Sequence, residues 1–163
     1  MSFGDAIIVR ITGFLKDVGI AVRPGTVADG AILPGIGVEK GVLIIDEERL
    51  LYPGDILHEA GHLAVTPPEH RWGLDHNVGD DAAEEMMAIA WSYAAALAAG
   101  IDPALVLHEH GYKGVGGSIL ENFQAGRFIG LPMLQWLGMA HDATQAARLG
   151  RPAFPAMERW LRG

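Results

Sequence analysis

Apolar residues recur at helical spacing from the start of the chain. Ile7, Ile11, Phe14 and Val18 fall on one face and predict an amphipathic helix over about residues 3–19, with Gly19 as its stop. The pattern then changes to short apolar runs cut by Pro-Gly and Gly-x-Gly. These predict strands at 20–22, 31–33 and 42–45, with a loop at 34–40 between the last two. From Pro53 the spacing is helical again, and Pro67-Pro68 ends that helix. A polar stretch at 69–81 reads as a long loop. Residues 81–99 give the strongest helical signal, closed by Gly100. Asp102-Pro103 starts a short helix through His108, and 111–117 is a glycine-rich loop. Helices at about 118–126, 131–140 and 153–161 complete the chain. No repeat or linker interrupts it. The expectation is one α+β domain over residues 1–163, with a small N-terminal sheet and a mainly helical C-terminal half.

Composition narrows the chemistry. The 163 residues suffice for one good core, half of them are apolar, and only 20% are charged. A formal net charge of −8 argues against a nucleic-acid backbone or an anionic membrane as partner, since both reward Lys and Arg. There is no cysteine, so a metal site must be built from His, Asp or Glu. Charges at Asp5, Arg10, Lys16 and Asp17 interrupt the apolar start, which therefore lacks the core of a signal peptide. The expected location is the cytoplasm, with the oligomeric state left open.

Within the helix predicted from Pro53, the stretch 56-ILHEAGHLAV-65 places His58 and His62 four residues apart, on one helix face, with Glu59 beside them. Two histidines and a glutamate among apolar neighbours need partners, because unpaired polar groups are costly in a core. A zinc ion answers that need, with His58 and His62 as ligands and Glu59 as a base. The plainer alternative is a hydrogen-bonded or surface-facing pair of histidines.

The sequence His58-Glu59-Ala60-Gly61-His62 resembles the motif of the zincin metallopeptidases. The strand-rich segment ending in 42-VLIIDEE-48 extends the likeness to about residues 40–100. The resemblance implies a sheet edge over the cleft that can pair with an extended peptide or protein substrate. It also implies a third protein ligand, leaving one position open for water. The metzincin branch would place a histidine at position 68, which is Pro68 here. The gluzincin branch takes a glutamate from the next helix, where Glu84 and Glu85 stand. Glu85 is favoured, because Ala88 three residues later would let two helices pack closely. Glu84 is the second choice, being about 100° round the helix. Asp80, Asp81 and His76 are the remaining alternatives. An aspartate ligand would move the likeness toward the membrane-anchored ATP-dependent zinc proteases.

The resemblance implies peptide-bond hydrolysis, with Glu59 taking the proton of a zinc-activated water and passing it to the leaving amine. His76, Tyr93, His108, His110 and Tyr112 are candidate oxyanion donors, none marked by its spacing. The competing reading is a zincin-like domain that binds metal, or serves as a scaffold, without cleaving. His108-Glu109-His110 could hold a second metal, but residues i and i+2 face apart on a helix. The run 111-GYKGVGGS-118 lacks the order of a phosphate loop. Met86, Met87, Met133 and Met139 read as core filler.

Overall fold

In a computed structural model, which describes residues 2–31, 33–74 and 81–163, the chain has an α+β fold. Helix α1 (Ala6–Val18) precedes three short strands, β1 (Val22–Pro24), β2 (Ile36–Glu39) and β3 (Val42–Ile45). Then follow α2 (Asp55–Val65), α3 (Pro68–Arg71), α4 (Ala82–Ala99), α5 (Gly116–Gln124), α6 (Leu131–Trp136) and α7 (Ala143–Leu149). Short 3-10 turns at Pro103–Leu105 and Tyr112–Gly114 lie between α4 and α5. Among the described residues, no helix is long and apolar enough to cross a membrane.

Caps set the main helix ends. The Asp5 side chain accepts from the Ile7 and Ile8 amides at the start of α1, and Asp81 accepts from Ala83 and Glu84 at the start of α4. Gly19 and Gly100 close the same two helices in the left-handed conformation.

The sheet has the order β1-β3-β2, with β1 parallel and β2 antiparallel to β3. Its second strand in chain order differs from the sequence expectation. The described strand is at Ile36–Glu39, inside the expected loop; Ala31 and Leu33 are not in a strand, and residue 32 lies outside the described residues. Buried Ile36 and Val38 alternate there with Gly37 and Glu39, which is strand periodicity. Lys40 and Gly41, both at positive φ, make the two-residue turn into β3. β2 is the sheet edge, and no strand covers its other side among the described residues.

Helix α4 runs through the core, and residues Ala88 to Ala96 along it are buried. α2 packs against it. A Cβ at Gly61 would sit 2.8 Å from the Ala88 carbonyl oxygen and 3.1 Å from the Ala88 Cα, so the bare backbone of Gly61 sets the helix spacing. Trp91 of α4 is fully buried between Phe14 and Trp160, and its indole N–H donates to the Trp160 carbonyl. Met139 is buried, as expected of core filler, but Met86 is partly exposed. Trp72 and Trp136 are exposed.

The C-terminal end of α2 is held by two arginines. Buried Arg71 donates to the carbonyls of Leu63, Ala64, Thr66 and Arg162. Arg162 returns a backbone N–H to Ala64 and a guanidinium N–H to Val65. Carbonyls that a helix end leaves orphaned are thereby satisfied, with positive charge at the negative pole.

Other elements depart from the sequence reading. The helix expected through His108 is only the 3-10 turn ending at Leu105, and part of the 111–117 loop is ordered into a second 3-10 turn and the start of α5. The helix expected at 153–161 is absent: the Phe154 amide donates to the His141 carbonyl, and the Glu158 and Arg159 amides donate to the Met139 carbonyl, not to helical partners. Met157 instead bridges to Ala140. α7, capped by Asp142 and Gly150, stands where no helix was expected. The 69–81 loop begins with the short α3, and residues 75–80 lie outside the described residues.

Candidate metal centre

All of α2 is buried except His58 and Glu59. Those two side chains open onto a cleft of about 1030 Å³ whose walls include β2, Tyr52, Asp55, His62, Glu85 and Tyr112. Spacings of i, i+3, i+4 and i+7 put Asp55, His58, Glu59 and His62 on one face of the helix. The tight packing at Gly61 brings the first turn of α4 against that face.

His58, His62 and Glu85 each offer a ligand atom within 4.8 Å of the others. His58 Nε2 lies 3.3 Å from Glu85 Oε1, and His62 Nε2 lies 2.7 Å from Glu85 Oε2. Nε2 of each ring therefore converges on one carboxylate. This is the group expected from the motif, with Glu85 as its third member.

Glu84 has a different place. Its Oε1 lies 3.0 Å from His62 Nδ1, the other side of the same ring. A carboxylate oxygen accepts, so His62 Nδ1 donates to Glu84. That holds His62 with Nε2 turned to the cluster, the arrangement typical of a ligand histidine backed by a carboxylate. The two glutamates meet opposite sides of the His62 ring, Glu84 at Nδ1 and Glu85 at Nε2.

Electrostatics divide these groups. Burial pushes the His58 pKa down to about 4, although Glu85 pulls upward. Burial also opposes protonation of His62, but the hydrogen bonds its ring donates to Glu85 and Glu84 outweigh it and lift the pKa to about 8. Burial raises Glu59 to about 7, against the pull of His62. Its hydrogen bond to His62 holds Glu85 below its ordinary value, against burial. These shifts leave His58 neutral and Glu85 ionised near neutral pH, whereas His62 holds a proton there that it would have to lose before its Nε2 could ligate a metal.

The other expected residues separate. Tyr93 packs on Phe123, Phe128 and Phe154 and is core. His108 bonds Asp55 Oδ1 through Nε2 at 2.8 Å, and its buried Nδ1 has no partner among the described residues. The Tyr112 hydroxyl lies 2.9 Å from His58 Nδ1. His110 is exposed, stacks beside Tyr52, and lines the cleft without a hydrogen bond among the described residues. Asp81 is the cap of α4 and is not a member of the His58, His62 and Glu85 group. His76 and Asp80, weighed as alternatives, lie outside the described residues.

Sequence reasoning missed three partners: Glu84 for His62, Tyr112 for His58 and Asp55 for His108. Asp55 had a legible signal, standing three residues before His58 on the same helix face. Tyr112 had none, because 54 residues separate it from its partner. No family model matches this chain, and no curated protein or solved structure is significantly similar to it.

Proposed function

We propose that this chain is a zinc-dependent peptidase, with His58, His62 and Glu85 as metal ligands and Glu59 as general base. The observation that carries the reading is the convergence of three donor atoms on one point beside Glu59, at the floor of an open cleft. Two imidazoles and one carboxylate suit zinc, and three protein ligands leave a fourth position for water. When bound there, zinc supplies a Lewis acid for a carbonyl and acidifies a water. Glu59 takes one proton from the attacking water and hands it to the leaving amine, so that amide and water give acid and amine. Its raised pKa suits that exchange near neutral pH. The outer edge of β2, which no strand covers among the described residues, lines the same cleft, and such an edge suits an extended peptide.

Elemental analysis tests the ligand set. About one zinc per chain is expected for the wild type and for Glu59→Gln, with loss in His58→Ala and Glu85→Ala. Glu84→Ala should retain zinc with about 10–100-fold weaker affinity. A wild type that takes up no zinc when supplied with it overturns the reading.

The affinity should also depend on pH. Metal must displace the proton of His62, so affinity falls about tenfold per pH unit from pH 8 to 7. Below about pH 7 the fall steepens, because an ion nearby also drives the proton from Glu59. His58 is already neutral above about pH 5 and adds nothing. Chelator competition at fixed pH values checks this, and a flat affinity between pH 6 and 8 contradicts it.

A further inference from the structure

Gly37 sits inside β2, where a glycine weakens a strand and marks a bulge, a bend or the close approach of a ligand. The fold gives no reason for it. β2 pairs with β3 without a break from Ile36 to Glu39, so there is no bulge. Gly37 is not one of the glycines at positive φ. The nearest atoms to an added Cβ would be the Val27 methyls, at 3.6 and 3.9 Å, and the Ile44 Cβ at 3.9 Å, all ordinary contacts. Alanine would therefore fit, and the loop that sets Val27 against the strand does not need the glycine.

What the glycine leaves open is the cleft. Arg23, Ile44 and Gly37 form one row across the three strands, so they share a face of the sheet. Gly37, Ile44 and Val27 line the same cleft as the metal group. Lys40-Gly41 is a two-residue turn, so Glu39 and Val42 form a hydrogen-bonded pair, and every second pair repeats that pattern. Gly37 and Ile44 are the next such pair, and the Asp46 amide, donating to the Gly35 carbonyl at 2.8 Å, continues the alternation. Val38, between these pairs, turns its N–H and C=O to the outer edge. A peptide residue that lies opposite Gly37 along this edge puts its side chain on the Gly37 face. A large side chain there covers the bare glycine backbone, as aromatic cross-strand neighbours do.

We infer that Gly37 is a specificity-determining residue: its missing side chain makes an apolar subsite, walled by Val27 and Ile44, for one large aromatic or branched side chain of the substrate peptide. The charges on that face do not call for an ionic partner, because Arg23 and Glu39 are paired with each other at 2.6 Å.

The inference rests on the peptidase reading above, and one experiment separates the two. Cleavage sites in a mixed peptide library are mapped by mass spectrometry for the zinc-loaded wild type, Gly37→Ala and Gly37→Val, alongside the melting temperature of each metal-free protein. The wild type should prefer Phe, Tyr, Leu or Ile at one position of the peptide. Gly37→Ala should melt no lower than the wild type, since alanine suits a strand better than glycine. It should lower kcat/KM about tenfold for peptides with a large residue at that position, relative to peptides with alanine there. Gly37→Val should deepen that loss. A glycine that serves only the fold would not move the preference at a single position. An unchanged profile in both variants overturns the inference alone, as does a wild type that favours charged residues or none at that position. A lower melting temperature in Gly37→Ala with all peptides slowed alike also overturns it, leaving a glycine that the fold requires. A zinc-loaded wild type inert toward every peptide removes both readings.

Discussion

Glu59→Gln should lower peptide hydrolysis by about 10²–10⁴-fold while the protein keeps its zinc. Glutamine has the shape and hydrogen-bonding reach of the glutamate but cannot take up a proton. Glu59 lines the cleft and is no part of the three-donor group, so its amide leaves the ligands in place. The same substitution should stabilise the metal-free fold at alkaline pH. Burial raises the Glu59 pKa to about 7, so the folded state prefers the neutral acid. The cost therefore grows as the pH rises from the ordinary glutamate pKa of 4.5 to about 7, is complete above that, and is absent below the ordinary value. Glu59→Gln should melt higher than the wild type at pH 8 and near it at pH 4. Turnover of a mixed peptide library and metal-free melting curves check both halves. Undiminished turnover would remove Glu59 from the chemistry. A zinc-loaded wild type inert toward peptides would favour the binding-domain alternative.

Gly61→Val should destabilise the fold by about 2–3 kcal/mol, with zinc affinity falling alongside. The first added carbon would stand 2.8 Å from the Ala88 carbonyl oxygen, in the backbone of α4 and not in a side chain that could swing away. α2 must move off α4, and Glu85 withdraws from the two histidines. Gly61→Ala should cost less, because alanine recovers about 0.5–1 kcal/mol of helix propensity. Urea unfolding of the metal-free variants and zinc titration give the two readouts. A Val variant as stable as the wild type would mean that the helix spacing is set elsewhere.

What could be read from the chain follows from how local each signal is. α1, α2 and α4 carry caps, stops and apolar spacing within their own sequence, and each stands near its expected place. The His58, His62 and Glu85 group was legible because two members share a helix and the third begins the next long one. β2 was lost to its glycines, although the Ile36 and Val38 alternation before Lys40-Gly41 is the pattern of a hairpin. The 153–161 segment has apolar residues at helical intervals, but its amide bonds to His141 and Met139 and the docking of Trp160 on Phe14 and Trp91 override them. The Tyr112 contact depends on how a distant loop lies over α2, and no spacing encodes that.

The two arginines at the end of α2 bear on how an ion would be received. α2 is anchored at its carboxyl end, wedged against α4 at Gly61, and buried except at His58 and Glu59. The donors therefore converge in a framework held together by its own core. In small zinc-nucleated folds, much of the binding energy is spent on ordering the chain. Here little ordering is left to do, so affinity reflects the donors themselves. Stripping the ion with a chelator should then silence the site and leave the architecture standing.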